Sequence, residues 1–500
     1  MTKKYHRYRK RPSVVVPEKD LGIHEECGIF GIIGHDLQDY AREIYFALFS
    51  LQHRGQESAG MAVAYGNNKI SYYKNMGLVS EVFGEEELSM MPPTKLGIGH
   101  VRYSTTGSSN VVNAQPVVFY GKFGRMALAH NGNIVNADEI KSEMIKRGHI
   151  FQSSVDSEVI AAWVNDCIED DVTEGIIKAC RKMRGGYALL FIIDGKLYAV
   201  RDPYGIKPLV MGEKDGAIIF ASESCALDAI DAAVIRDVNP GEIISVDSDG
   251  NINTEIFEER TPKPCIFEYV YLARSDSIMD SQSVYDARYM CGVYLARLLD
   301  IKADIVAGVP DSALVSARGF SEESGIPYVD AISKNRYIGR TFIQPSQSMR
   351  ENSVKIKLNA FRSNIRGKKL ILIDDSEDDE VMGTPQYISL VRGTTSKKII
   401  QLLRQSGAAE VHMVVSSPKV TGPCFFGVDM QTKDQLIASG RTEEEICKLI
   451  GADSLHYLPL DRLIAACSAE GTMTHFCTGC FNEEYSFDID NYHCEKFGLE

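Results

Sequence analysis

The chain has 500 residues, of which 44% are hydrophobic and 24% charged, and its formal net charge is −14. That length exceeds what one hydrophobic core organises, so two main domains are expected. No uninterrupted apolar run approaches bilayer-spanning length, which argues against a membrane protein, and the acidic balance argues against a general nucleic-acid binder while leaving small, metal-bound anions as ligands.

The basic opening "MTKKYHRYRKRP" lacks the apolar core of a secretory signal, and the cytoplasm is the expected compartment. Twelve cysteines are too dilute for a disulfide scaffold; most are expected as buried thiols, with metal ligands or nucleophiles as the minority. From Cys27 to about Phe257, apolar strands alternate with Gly-rich turns, as in "GRMALAHNGNIV" and "GKLYAVRDPYGIKPLVMG". Long helical patterns stand out only near 37–50 and 156–169. In "HEECGIFGI", Cys27 precedes a small, apolar strand. An amidase needs a nucleophile with a base and a hole for the oxyanion. Cleavage after Glu26 would give Cys27 both a thiol and an α-amine of pKa about 8 to act as its base. Residues 1–26 would then be a propeptide. A lone cysteine in a strand is more often simply buried.

The segment "EERTPKPCIFEY", with two prolines and a charge cluster, suits a crossing between domains. Beyond it the rhythm changes. Strand-like "ADIVAGVP", "KKLILIDD" and "EVHMVVSS" alternate with helical "SALVSARGFSEESG" and "SKKIIQLLRQSG", which implies a parallel sheet covered on both faces. "LILIDD" should deliver Asp374 and Asp375 at the carboxyl end of a buried strand, where open α/β sheets bind ligands. "RGTTSKK" should turn into the next helix, with the hydroxyls of Thr394, Thr395 and Ser396 beside unpaired N–H groups suited to phosphate. The two carboxylates suit a ribose diol or hydrated Mg2+. An acidic turn before an N-capped helix has the same local pattern.

Taken together, the two halves resemble the amidophosphoribosyltransferase family, the entry enzymes of purine synthesis, from Cys27 to about Cys480. "QHRGQESAG", "GHVRYSTTG", "ALAHNGN" and "VDSEVI" are similar to the family's N-terminal-nucleophile glutaminase motifs, in their usual order. "GVPDS", "KNRYIGRTF" and "RGTTS" resemble its pyrophosphate loop, closing loop and phosphate turn. The resemblance implies an αββα class II glutaminase domain over residues 27–258 and a type I phosphoribosyltransferase domain over 259–460. A C-terminal segment, 461–500, would follow.

By that resemblance Cys27 is the nucleophile, Arg102 clamps the glutamine α-carboxylate and Asp156 takes its α-amine. Asn131 and the Gly132 N–H form the oxyanion hole. Asp311, Ser312, Lys334, Arg340, Asp374, Asp375, Arg392, Gly393, Thr394, Thr395 and Ser396 would bind phosphoribosylpyrophosphate, with Mg2+ on Ser312, Asp374 and Asp375. Val155 stands where the family often has Ser, which leaves the Asp156 carboxylate intact. Purine nucleotides as feedback inhibitors and a homotetramer are also implied.

"CTGC" at 477–480 lets two thiolates face one metal centre, and alone it fits zinc as well as iron. Cys265 in "CIFEY" and Cys424 in "PCFFG" match the other ligand positions of relatives that carry a 4Fe-4S cluster, and those relatives also have a propeptide. The resemblance therefore favours a structural cluster on Cys265, Cys424, Cys477 and Cys480.

One departure stands inside the phosphoribosyl motif. The family runs "DDS", one apolar residue, then "VRGTTS"; here an insertion near 376–389, containing "EDDEVMGTPQY", separates the carboxylates from the phosphate turn. Its acidic residues, Gly and Pro read as an exposed loop, and lengthening a surface loop costs little. Three readings follow: an active synthase with the insertion looped out, which is favoured; a glutaminase with an impaired transferase site; and a non-catalytic regulatory paralogue.

Overall fold

The computed structural model describes residues 27–66, 69–103, 110–335, 358–375, 394–428, 430, 433, 436–468 and 473–489. The expected propeptide, Arg340 of the closing loop, the insertion, and Arg392 and Gly393 of the phosphate turn lie outside them.

In the amino-terminal half, a seven-stranded sheet carries Gly28–Gln38 between Ala217–Ala221 and Thr94–Arg102, all antiparallel. A six-stranded antiparallel sheet carries Gly185–Ile193 between Gly124–Ile134 and Lys196–Arg201. The strands lack polar alternation because both faces are buried. Ile29 and Ile33 point into the core between the sheets, while Phe30 and Ile32 pack with Ile44 and Leu48 of helix Tyr40–Ser50. On the second sheet, Ala188 and Leu190 face that same inner core. Leu189 and Phe191 face helices Ala137–Lys146, Asp156–Cys167 and Val172–Cys180. The result is the αββα arrangement.

The helix expected from residue 37 begins at Tyr40, because the strand before it runs to Gln38 with its last four residues exposed. Helix Ala137–Lys146 was not anticipated, although Ala137, Ile140 and Met144 lie on its buried face at helical spacing. The crossing segment is pinned to the first domain: Lys263 N donates to Tyr204 O at 2.7 Å and Cys265 N to Ile206 O at 3.1 Å. It leads into a π-helical turn, Glu268–Leu272.

The second half holds four parallel strands in the order Ile305–Gly308, Lys369–Asp374, Glu410–Val415 and Ser454–Tyr457. Helices Val284–Leu298 and Ala313–Ser324 cover one face, with Leu295 and Phe320 against Ile371 and Ile373. Helices Thr394–Gln405 and Glu443–Ile450 cover the other, with Leu403 and Ile446 against Leu370 and Leu372. Gly325, at φ 72°, ends helix Ala313–Ser324 in the left-handed conformation that glycine adopts most cheaply. Helix Leu460–Cys467 packs into the same core as Val284–Leu298, which joins the C-terminal segment to this half. Among the described residues no helix is long and apolar enough to cross a membrane.

Candidate active sites

Cys27 opens the central strand of the first sheet and is buried. The pairing of Gly28 with Val101 brings Arg102 to its side. The thiol donates to Tyr103 O at 3.5 Å. Burial pushes its pKa up to about 11, against that bond and the Arg102 charge; Asp156 and Glu57 also act on it. Cys27, Arg102 and Asp156 therefore share one electrostatic neighbourhood. The Arg102 guanidinium meets Glu57 at 2.7 Å. Asp156 begins its helix, 3% exposed, and accepts from Ile134 N at 3.1 Å.

Asn131 and Gly132 lie on the second sheet. Asn131 is fully buried, and neither atom of its side-chain amide has a hydrogen-bond partner among the described residues. Leaving a buried polar group unpaired costs about 1–3 kcal/mol, a cost that a ligand bonding the amide would offset. Gly132 has φ +134°, and a Cβ there would stand 2.1 Å from Gly186 O, so glycine is required.

Four residues of this site carried no assigned role in the sequence. Arg54 is 1% exposed; its Nε donates to Cys27 O at 3.1 Å, and its guanidinium meets Glu223 at 2.5 Å and Glu268 at 2.7 Å. Glu223 also holds His53 at 2.7 Å and accepts from Ser277 Oγ at 2.6 Å. Burial opposes its ionisation, but the charges of His53 and Arg54 prevail and hold its carboxyl well below the usual range. Arg54 and Glu57 sit inside "QHRGQESAG", where a signal existed; Glu223 and Glu268 had none.

In the second half, Asp374 and Asp375 lie at the carboxyl end of Lys369–Asp374, 2% and 1% exposed. Burial and then the Asp375 charge push Asp374 up to about 8. Helix Thr394–Gln405 starts where "RGTT" leads the sequence to expect it, and Ser396 Oγ is buried with no hydrogen-bond partner among the described residues. Asp311 and Ser312 precede helix Ala313–Ser324, and Lys334 Nζ meets Asp311 at 2.7 Å. A cavity of about 200 Å³ is lined by His53 from the first half and by Tyr271, Arg274, Arg288, Asp311 and Ser312 from the second.

The four cysteines of the expected cluster gather where the halves meet. Cys265 and Cys477 form a parallel β-bridge, and the Cys480 carbonyl accepts from Thr421 N and Gly422 N at 2.9 and 3.1 Å. Burial and then Cys424 push the Cys477 thiol up to about 12. Tyr485, whose hydroxyl donates to Pro423 O at 2.7 Å, is raised by burial and then by Cys424, Cys480 and Cys477. Among the described residues no group of three or more His, Cys, Asp or Glu is arranged to hold a metal ion.

A family model described as a glutamine amidotransferase domain matches residues 100–229. The chain is 45% identical over 480 residues to the amidophosphoribosyltransferase of Methanocaldococcus jannaschii, covering 92% of this chain and 98% of that one. This chain belongs to the amidophosphoribosyltransferase family. The amidophosphoribosyltransferase of Archaeoglobus fulgidus is 42% identical, with 94% and 100% covered. The solved structure of the B. subtilis glutamine phosphoribosylpyrophosphate amidotransferase, complexed with ADP and GMP, matches at TM-score 0.84 and 39% identity, covering 93% of this chain and 99% of that one. As a family member the protein is an enzyme of the pentosyltransferase type, with a glutaminase domain followed by a phosphoribosyltransferase domain.

Proposed function

We propose that this enzyme hydrolyses glutamine at Cys27 and transfers the ammonia internally to C1 of phosphoribosylpyrophosphate. The products are 5-phosphoribosylamine, glutamate and pyrophosphate, the first step of purine synthesis. The observation that carries this reading is that each half holds a buried polar side chain with no hydrogen-bond partner among the described residues, the Asn131 amide in one and the Ser396 hydroxyl in the other.

A thiol raised to about 11 needs a base. Cleavage after Glu26 supplies it as the Cys27 α-amine, which takes the thiol proton as sulfur attacks the amide carbon. The Asn131 amide and Gly132 N–H receive the oxyanion, while Arg102 and Asp156 hold the α-carboxylate and α-amine. The proton passes to the departing ammonia, and water then hydrolyses the thioester to glutamate. The cavity touched by His53 and by Asp311 and Ser312 supports an internal passage between the halves.

At the second site, Asp374 and Asp375 bind the ribose hydroxyls. Arg392, Gly393, Thr394, Thr395 and Ser396 hold the 5-phosphate, and Asp311, Ser312, Lys334 and Arg340 the diphosphate. Orientation, charge neutralisation and exclusion of water carry the substitution at C1. Two adjacent buried carboxylates, one pushed toward its neutral form, fit a hard cation. Mg2+ is commonly held by one or two carboxylates together with substrate phosphates, and here Ser312, Asp374 and Asp375 would hold it. When bound, Mg2+ neutralises the leaving diphosphate.

The Cys265–Cys477 β-bridge, Cys424 acting on Cys477, and Tyr485 within reach of Cys424, Cys477 and Cys480 support a 4Fe-4S cluster on these four thiols. Bound by Cys265, Cys424, Cys477 and Cys480, it would cross-link the crossing segment, the sheet domain and the C-terminal tail. The nucleotides in the B. subtilis structure support purine nucleotides as inhibitors of this enzyme, and a homotetramer is proposed from the family resemblance.

The test is phosphoribosylpyrophosphate-dependent production of glutamate and pyrophosphate by anaerobically purified protein. Its mass should correspond to a chain starting at Cys27, with about four iron and four sulfide per chain. Cys27→Ala should lose glutamine use and keep activity with ammonia. Equal loss of both activities contradicts the division into two sites, and stoichiometric zinc without iron refutes the cluster.

A further inference from the structure

A loop of the transferase half touches the glutaminase strand that carries Asn131 and Gly132. Asn133 is 4% exposed and donates from Nδ2 to Phe425 O at 2.9 Å. Two residues on, Gly427 has φ +116°, and a Cβ there would stand 3.2 Å from both Cα and the carbonyl carbon of Gly132. The same Cβ would lie 3.0 Å from Lys207 Nζ. Between these contacts, Phe426 Cβ stands 3.2 Å from the position a Gly186 Cβ would take. Gly186 O, in turn, lies 2.1 Å from where a Gly132 Cβ would be. Gly132 is therefore enclosed between Gly186 on its own sheet, at an approach that only glycine permits, and Gly427 from the other half, where a Cβ would force its neighbours to shift by a few tenths of an ångström. A glycine has no side chain to lock its peptide plane, so the backbones packed against it set the direction of its N–H.

We propose that Phe425–Gly427 is a positioning element for amide hydrolysis, holding the Asn131–Gly132 backbone in the orientation that receives the oxyanion. The inference rests on the assignment of Asn131 and Gly132 as the oxyanion donors. The segment contacts no substrate; it acts through the strand it packs on. Oxyanion donors are worth most when fixed before reaction, and a displacement of about 1 Å at a reacting centre costs up to about a hundredfold in rate. Placing that support on the transferase half makes glutamine hydrolysis depend on how the two halves are docked.

The test uses the mature, full-length enzyme with Gly427→Ala and Asn133→Ala. The first intrudes on Gly132; the second removes the bond to Phe425 without adding an atom to the core. The probe is glutamate γ-semialdehyde: the Cys27 thiol adds across its C=O, forming an S–C bond and a hemithioacetal whose oxygen occupies the oxyanion position, with no leaving group. Glutamate, which forms no such adduct, is the reference ligand. In both variants, or in Asn133→Ala alone should Gly427→Ala fail to fold, aldehyde affinity and glutaminase kcat should fall about tenfold or more. The glutamine KM, glutamate affinity and ammonia-dependent synthesis should stay within about twofold, a split that general loss of structure would not produce. Unchanged aldehyde affinity, or equal loss of aldehyde and glutamate affinity, overturns the proposal. A parent enzyme that neither uses glutamine nor binds the aldehyde would instead overturn the functional reading beneath it.

Discussion

Replacing Glu268 by alanine removes a carboxylate that meets the Arg54 guanidinium at 2.7 and 3.0 Å, with the two side chains 3% and 0% exposed. Truncating one partner of a buried, hydrogen-bonded ion pair costs about 3–5 kcal/mol, because the other charge is left uncompensated. Arg54 keeps its bonds to Glu223 and to Cys27 O, so the lower end, about 3 kcal/mol, applies. For a half of roughly 230 residues, each kcal/mol moves the midpoint by about 2–4 °C, which gives a fall of about 6–12 °C by calorimetry. Arg54→Met combined with Glu268→Leu removes both members of that pair but leaves buried Glu223 with His53 as its charged partner, so it should recover at most part of that loss. Glutamine hydrolysis should not recover with it, since the Cys27 carbonyl has lost its donor. A Glu268→Ala midpoint within about 2 °C of the parent refutes the reasoning, as does a double variant whose loss is the sum of the two single losses.

Asn131→Ala should lower glutaminase kcat by about 10²–10³ while ammonia-dependent synthesis persists, as read by steady-state kinetics with each nitrogen donor. Glu223 has a folded-state pKa depressed below its unfolded value, so its stabilisation is full above pH about 4.3 and is lost as pH falls below that toward the folded value. The parent midpoint should therefore drop more steeply between pH 5 and 3 than that of Glu223→Gln; parallel slopes would count against the pairing. Deleting residues 376–388 restores "IDDSLVRGTTS" and should change the phosphoribosylpyrophosphate KM only modestly if the insertion loops outward. An inactive parent transferase with a strongly active deletion would show that the insertion impairs the natural site.

Much of both sites was legible because their residues act through local backbone. Leu370 to Ile373 are fully buried, as four consecutive apolar residues in a parallel strand must be, and the carboxylates follow at the strand end. The helix after "RGTT" and the glycine that ends "SALVSARGFSEESG" likewise follow from short-range chemistry. Helix Val284–Leu298 was harder to read, because Arg288 and Gly292 interrupt its buried face; Arg288 is buried there because its guanidinium bonds the carbonyls of Tyr269, Tyr271 and Ala273.

The sequence by itself determined the class of each half, the nucleophile candidate and the order of the motifs, because periodicity records which faces are buried and residue type records local conformation. Only the tertiary structure decided the partners of the buried charges and amides. Arg54 meets Glu223 and Glu268 across 169 and 214 residues, and Asn133 meets Phe425 across 292. A buried ionic or amide group must find a complementary atom wherever the chain brings one, and that choice depends on how distant segments dock, which no local pattern encodes.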